Sequence, residues 1–255
     1  MRLPAMIRHP VTIDGETAEV GTAAELALTL DVLQGRHDLQ VLEQLRPHLA
    51  GIIADPRGLM TVLASLAPDD QTFLIDALGG SLGRIVGSAA ALREILAMLA
   101  EVPVEERLME VIGRDGLRSL IMTAEDLAGV LEWVYGQCDR CLIDLLGREY
   151  TARLFQNGHE VSLVLRTLDQ ERQEELVGDL GWDRLASLVH DRRDLAHLMR
   201  ALPPDASRRL LEHFPRERLS AIVANQRQWE AIARYLDAGE MASLRQRLEG
   251  GDHAS

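Results

Sequence analysis

The sequence predicts an all-α fold: a right-handed α-solenoid of about seven repeats, each 33–35 residues long and made of two to three short helices. Three observations predict it. The first is a fixed period. Apolar residues that open a helix-like pattern stand at Leu26, Leu59, Leu92, Leu127, Val161, Leu195 and Trp229, at spacings of 33, 33, 35, 34, 34 and 34 residues. A period of this size marks a stacked array, in which each module is too small to bury its apolar face alone and shelters it against its neighbours. The second is capping. Four residues before these anchors stand Thr22, Asp55, Ser88, Thr123, Asn157, Asp191 and Asn225. All are residue types whose side-chain oxygen accepts from the free N–H groups of a first helical turn. Thr22-x-x-Glu25 reads as a capping box, and Pro56 follows Asp55 where a missing N–H costs nothing. The third is termination: Gly79, Gly113, Gly147 and Gly181 follow the second apolar run of their repeats, at the usual left-handed C-terminal position.

Each repeat reads as a phrase of three helices. The first carries apolar residues at the anchor and three, four and seven beyond it, as in Leu92, Ile95, Leu96 and Leu99, which is one face of a helix. The second follows a break such as Pro68-Asp69-Asp70, Pro103, Asp169 or Pro203-Pro204. The third is brief: Leu82, Ile85, Val86, or Leu185, Leu188, Val189. The cap residues keep it separate from the next repeat. Residues 1–20 lie outside the period as an N-terminal arm or cap. Within them Val11–Val20 is either a hairpin turning at Asp14-Gly15 or a loosely draped segment. Met6, Ile7, Val11 or Ile13 is expected to cover the open face of the first repeat. Repeats then occupy 21–53, 54–87, 88–122, 123–156, 157–190 and 191–224. A seventh, 225–249, has two helices and completes a repeat domain of 21–249, and 250–255 reads as a disordered tail. With packed axes about 8–10 Å apart, the stack is expected to be roughly 60–70 Å long.

Composition limits function. Aromatics are 4% of residues, so the core must be aliphatic. The net charge of −13, from 27 basic and 40 acidic residues, has the wrong sign for phosphate binding and for anionic membranes. Every basic residue is arginine. A GC-rich bacterial genome produces this; avoidance of lysine modification in a secreted effector is the rival explanation. The start of the chain has no secretory pattern, and no apolar run is long enough for a membrane span. The expected setting is cytoplasmic and reduced.

No motif carries catalytic, cofactor or metal chemistry. Gly79-Gly-Ser81-Leu-Gly83 matches G-x-S-x-G but lacks the preceding strand of a hydrolase elbow. Cys138-Asp-Arg-Cys141 has no second ligand pair for zinc and no βαβ setting for redox work. Cys138 near a helix start admits a lowered thiol pKa, and Cys141 reads as a partly buried packing residue. Glu105-Glu106 and Glu174-Glu175 read as solvated surface. Trp229 and Tyr150 fall at core positions.

The expected function is therefore a non-enzymatic protein–protein interaction scaffold. Trp133 and Tyr235, both six residues past an anchor, Trp182 in a turn, and Arg200 and Arg234 are the candidate contacts for a protein or peptide partner. The pattern is similar to other superhelical α-repeat modules, among them the acidic cytosolic helical domain of bacterial magnesium channels of the MgtE type; the likeness is one of pattern and transfers no residue roles. The alternative is a helical-repeat reader of nucleic acid, in the manner of Pumilio-like proteins. Such readers vary base-reading side chains at one repeated position beside basic neighbours, and here that position varies only among cap residues. No nucleic acid, cofactor or membrane insertion is expected, and a homodimer through an exposed end repeat is open.

Overall fold

The structure is a computed structural model that describes residues 7–99, 101–135, 137–223, 229–230 and 238–249. Helices dominate, and the one sheet among the described residues is an N-terminal hairpin. Its strands β1 (His9–Ile13) and β2 (Glu16–Val20) pair antiparallel, with Ile13 opposite Glu16 and His9 opposite Val20. Asp14 and Gly15 turn the chain with φ of 50° and 86°, the doubly positive geometry whose twist suits a two-residue hairpin. Val11 and Val20 are buried beneath it; Ile13 is half-buried and Ile7 is 75% exposed. The cover therefore comes from Val11 and from Val20 on the same face of the hairpin, not from Ile7, and Met6 lies outside the described residues.

The helices follow the period. First helices of successive phrases are α1 (Ala23–Leu33), α4 (Pro56–Ala64), α7 (Ala89–Met98), α9 (Ala124–Leu131), α12 (Gly158–Leu165) and α15 (Arg192–Ala201). Second helices are α2 (Asp38–Leu45), α5 (Pro68–Leu78), the first part of α8 (Val102–Leu120), α10 (Cys138–Leu146), α13 (Gln170–Leu180) and α16 (Pro204–His213). Third helices are α3 (Leu49–Ile52), α6 (Leu82–Val86), the second part of α8, α11 (Arg148–Leu154), α14 (Trp182–Leu188) and α17 (Arg216–Ile222). A last helix, α18, spans Ala238–Glu249. The expected cap at Asn225, and the tail 250–255, lie outside the described residues.

The caps form as their side chains dictate. Thr22 accepts from the Glu25 N–H, Asp55 from Gly58, Ser88 from Ala91, Thr123 from Asp126, Asn157 from Glu160, and Asp191 from Arg193 and Asp194. The carboxylate three residues on reaches back to the N–H before the cap in four of these: Glu25 to Gly21, Asp126 to Met122, Glu160 to Gln156 and Asp194 to His190. Gly79, Gly113, Gly147 and Gly181 all have positive φ, between 47° and 81°. Their ψ values of −132°, 172°, 143° and 149° lie outside the left-handed helical region expected of them. This conformation is open to glycine alone and turns the chain sharply between second and third helices.

The chain divides into two compact units: Met1–Ile121 with Trp133–Leu146, and Met122–Glu132 with Gly147–Ser255. In the first, α1 packs on α4 and α4 on α7, while α2, α5, α8 and α10 pack in series. In the second, α9 packs on α12 and α12 on α15, while α14 packs on α16 and α17 on α18. The core is aliphatic, as the composition requires, with Leu26, Leu59, Leu92, Leu127, Val161 and Leu195 fully buried. Trp229 departs from the expected core role: it is half-buried, with the Arg245 guanidinium 5.3 Å over its ring. Tyr150 is likewise half-buried.

Polar ties repeat with the period. Gln71 donates to the Leu63 and Leu66 carbonyls, Gln173 to those of Leu165 and Leu168, and Ser207 to that of Met199. Each stands in the second helix and satisfies carbonyls left open at the end of the first. Asp194 joins adjacent phrases, because its second oxygen accepts from the His159 N–H at 3.3 Å.

Candidate binding groove

The described surface of the second unit contains a groove of about 400 Å3 between α13 and α16. Its existence follows from side-chain size. Gly178 faces the gap from α13, and a Cβ built on it would meet nothing within 4 Å. Val177 and Leu202 are buried at the floor, Pro203 and Ala206 form the opposite wall, and Trp182 closes the end. The Trp182 indole is half-buried and lies 6.1 Å from the His213 ring, whose Nδ1 is 2.9 Å from the Arg209 carbonyl. The rim is charged with both signs: Glu174 and Asp205 against Arg209. Asp205 is paired with Arg208 at 2.9 Å, while no carboxylate among the described residues pairs with Arg209. A cleft of mixed lining, with Gln170 and Gln173 beside an apolar floor, an aromatic wall and a guanidinium at its rim, matches an apolar side chain followed by a carboxylate.

Of the contact residues singled out by sequence that the structure describes, Trp182 alone lies in this groove. Trp133 is 42% exposed on the segment between α9 and α10, beside the exposed Tyr135, in the first unit. Arg200 is exposed on the last turn of α15. Near it stand Arg166, Asp194 and the His159–His197 ring pair, whose centroids are 4.6 Å apart. Burial, then the neighbouring His159 and Arg166, hold the His197 imidazole below its usual value. Arg234 and Tyr235 lie outside the described residues. The groove residues Gly178, Leu202, Pro203 and Arg209 were missed. The one local signal is a glycine inside a helical pattern, which marks either a flaw or a required space.

A second cleft of about 400 Å3 has Arg192, Arg193 and Arg218 on its walls, with Asp191 and His190 beside them. Arg218 is already committed, donating to the Ser187 and Val189 carbonyls at 3.0 and 2.8 Å.

Two sequence expectations about chemistry are corrected. Glu105 is not solvated surface: it is fully buried beneath α10 and Glu106 is half-buried, whereas Glu174 and Glu175 are exposed as expected. One Glu105 oxygen accepts from the Tyr135 N–H at 3.1 Å, and the other has no partner among the described residues. Burial raises this carboxyl above its ordinary value. Cys138, near the start of α10, has a raised rather than a lowered pKa. Burial first, and the neighbouring Glu105 second, push its thiol up to about 12. The favourable field of a helix start is outweighed by loss of water around the thiolate. Cys141 is half-buried, as expected.

Glu105→Gln tests the burial. Because the folded-state pKa lies above the reference 4.5, this carboxyl's contribution is fully present below the unfolded value and is lost as pH rises through the folded one. The neutral variant, which retains an acceptor for Tyr135, is expected to be more stable than the native protein at pH 7 and to lose that advantage as pH falls towards 4.5. Urea melts across this range measure it.

Among the described residues no three His, Cys, Asp or Glu side chains gather as a metal site, and no helix is long and apolar enough to cross a membrane. No family model matches the chain, and no curated protein or solved structure matches it significantly.

Proposed function

We propose that this protein is a non-enzymatic interaction scaffold whose periodic helices stack as a right-handed α-solenoid, and that the α13–α16 groove grips a segment of a partner protein. The observation that carries the reading is the space left by Gly178 beside Trp182, Leu202 and Pro203. An apolar side chain of the partner lies against Trp182 in this space, and a carboxylate one or two residues away meets Arg209 in a bidentate pair. The acidic balance of the chain and the commitment of Arg218 to backbone carbonyls favour a protein partner over nucleic acid.

Peptide arrays probed with the intact protein test this. Bound sequences are expected to share an apolar residue near an acidic one. Trp182→Ala is expected to weaken them by about 2 kcal/mol, or roughly thirtyfold. Gly178→Phe fills the groove where a Cβ has room, so it is expected to abolish binding while leaving the thermal melt intact. Undiminished binding by Gly178→Phe would remove the groove from the account.

A further inference from the structure

We propose that the outer edge of β2, with Leu28 and Val32 of α1 beside it, binds an extended basic segment of a partner protein as a third strand. This site lies in the first unit and does not depend on the α13–α16 groove. The hairpin's two edges differ. On β1, the Gln44 side chain accepts from the Thr12 N–H and donates to the Thr12 carbonyl, both at 3.0 Å, as a neighbouring strand would. Pro10 on the same edge has no N–H to offer. That edge is closed.

The same bonds establish where β2 points. Thr12 directs its backbone polar groups away from β2, so its cross-strand partner Thr17 directs its own away from β1; Glu19, opposite Pro10, does the same. Among the described residues nothing meets the N–H or C=O of Thr17 or Glu19. An unpaired edge of alternating donors and acceptors is a template for an extended backbone.

Side chains of an added strand alternate between faces. Those on the inner face enter a groove of about 570 Å3 between the hairpin and α1. Leu28 and Val32, one turn apart and 64% and 73% exposed, line it with Val11 and Ala18. This selects apolar residues at every second position. Charge selects the others: Asp14 and Glu16 border the groove and Glu19 stands on β2, none of them paired with an arginine among the described residues, whereas Glu25 is already paired with Arg8. A second copy is the poorer occupant. β2 carries Glu16 and Glu19 without a basic side chain, so two such edges bring like charges together.

The test is titration of a short peptide of alternating lysine and valine into the full chain, followed by backbone amide NMR. The Thr17 and Glu19 amides are expected to shift and to gain protection from exchange. Thr17→Pro removes an edge donor without removing a hairpin hydrogen bond, and proline is tolerated at such edge positions. It is expected to weaken the peptide at least about tenfold with the melt unchanged. Val32→Arg is expected to weaken it as well, and Gly178→Phe to leave it unaffected. Equal binding by Thr17→Pro, shifts confined to other residues, or no saturable binding would overturn the proposal. So would peptide-free, concentration-dependent dimerisation that shifts Thr17 and Glu19, which would assign the edge to a second copy.

Discussion

Leu165→Ala is expected to destabilise the protein by about 2–5 kcal/mol, read as a lower urea midpoint. Leu165 ends α12, is fully buried, and stands at the anchor-plus-four position of its repeat. Truncation removes the transfer energy of a buried side chain, about 1.5–3 kcal/mol, and leaves a cavity that packed helices on both sides relax into only partly. The control is Leu28→Ala. Leu28 also lies in a first helix, but two residues past its anchor and 64% exposed, and its loss is expected to fall within about 0.5 kcal/mol of neutral. The pair tests the register: anchors set one residue earlier would place Leu28 on the core face and Leu165 off it, exchanging the two outcomes.

Gly158→Ala is expected to cost about 1–3 kcal/mol, against the usual rule that alanine outranks glycine in a helix. A Cβ at Gly158 would sit 3.0 Å from the Asp194 carbonyl oxygen, 3.1 Å from its Cβ and 3.2 Å from its carbonyl carbon. Two of these atoms are backbone, so α12 and α15 would have to separate. Separation also strains the bond from the His159 N–H to the Asp194 carboxylate. Gly178→Ala has the opposite sign. Its Cβ meets open space within α13, so the variant is expected to gain about 0.5–1 kcal/mol through the smaller entropy loss of alanine. Thermal melts of the two alanine variants should move in opposite directions.

The difference between these glycines shows what was legible in sequence. Caps, breaks and helix faces depend on residues within about one turn, and a reader of the chain sees both partners. Six of the cap oxygens, from Thr22 to Asp191, accordingly accept where expected. Bonds between neighbouring phrases join residues 28 to 36 apart, and local pattern does not reach them. Glu105 looked like the solvated half of an acidic pair, yet α10 packs over it and the Tyr135 N–H binds it. Gly158 and Gly178 are both helical glycines and opposite in environment because α15 approaches one and a groove faces the other. The hairpin falls between these cases. Its turn residues were readable, but the choice against a draped arm required Val11 and Val20 to be seen buried together.

The proposed stack of repeats is tested most directly by small-angle X-ray scattering from the monomeric protein. Seven stacked repeats are expected to give an elongated particle with a maximum dimension of roughly 60–70 Å, set by helix axes about 8–10 Å apart. A near-spherical particle with a radius of gyration of about 18 Å, the value for a compact chain of this length, would contradict it.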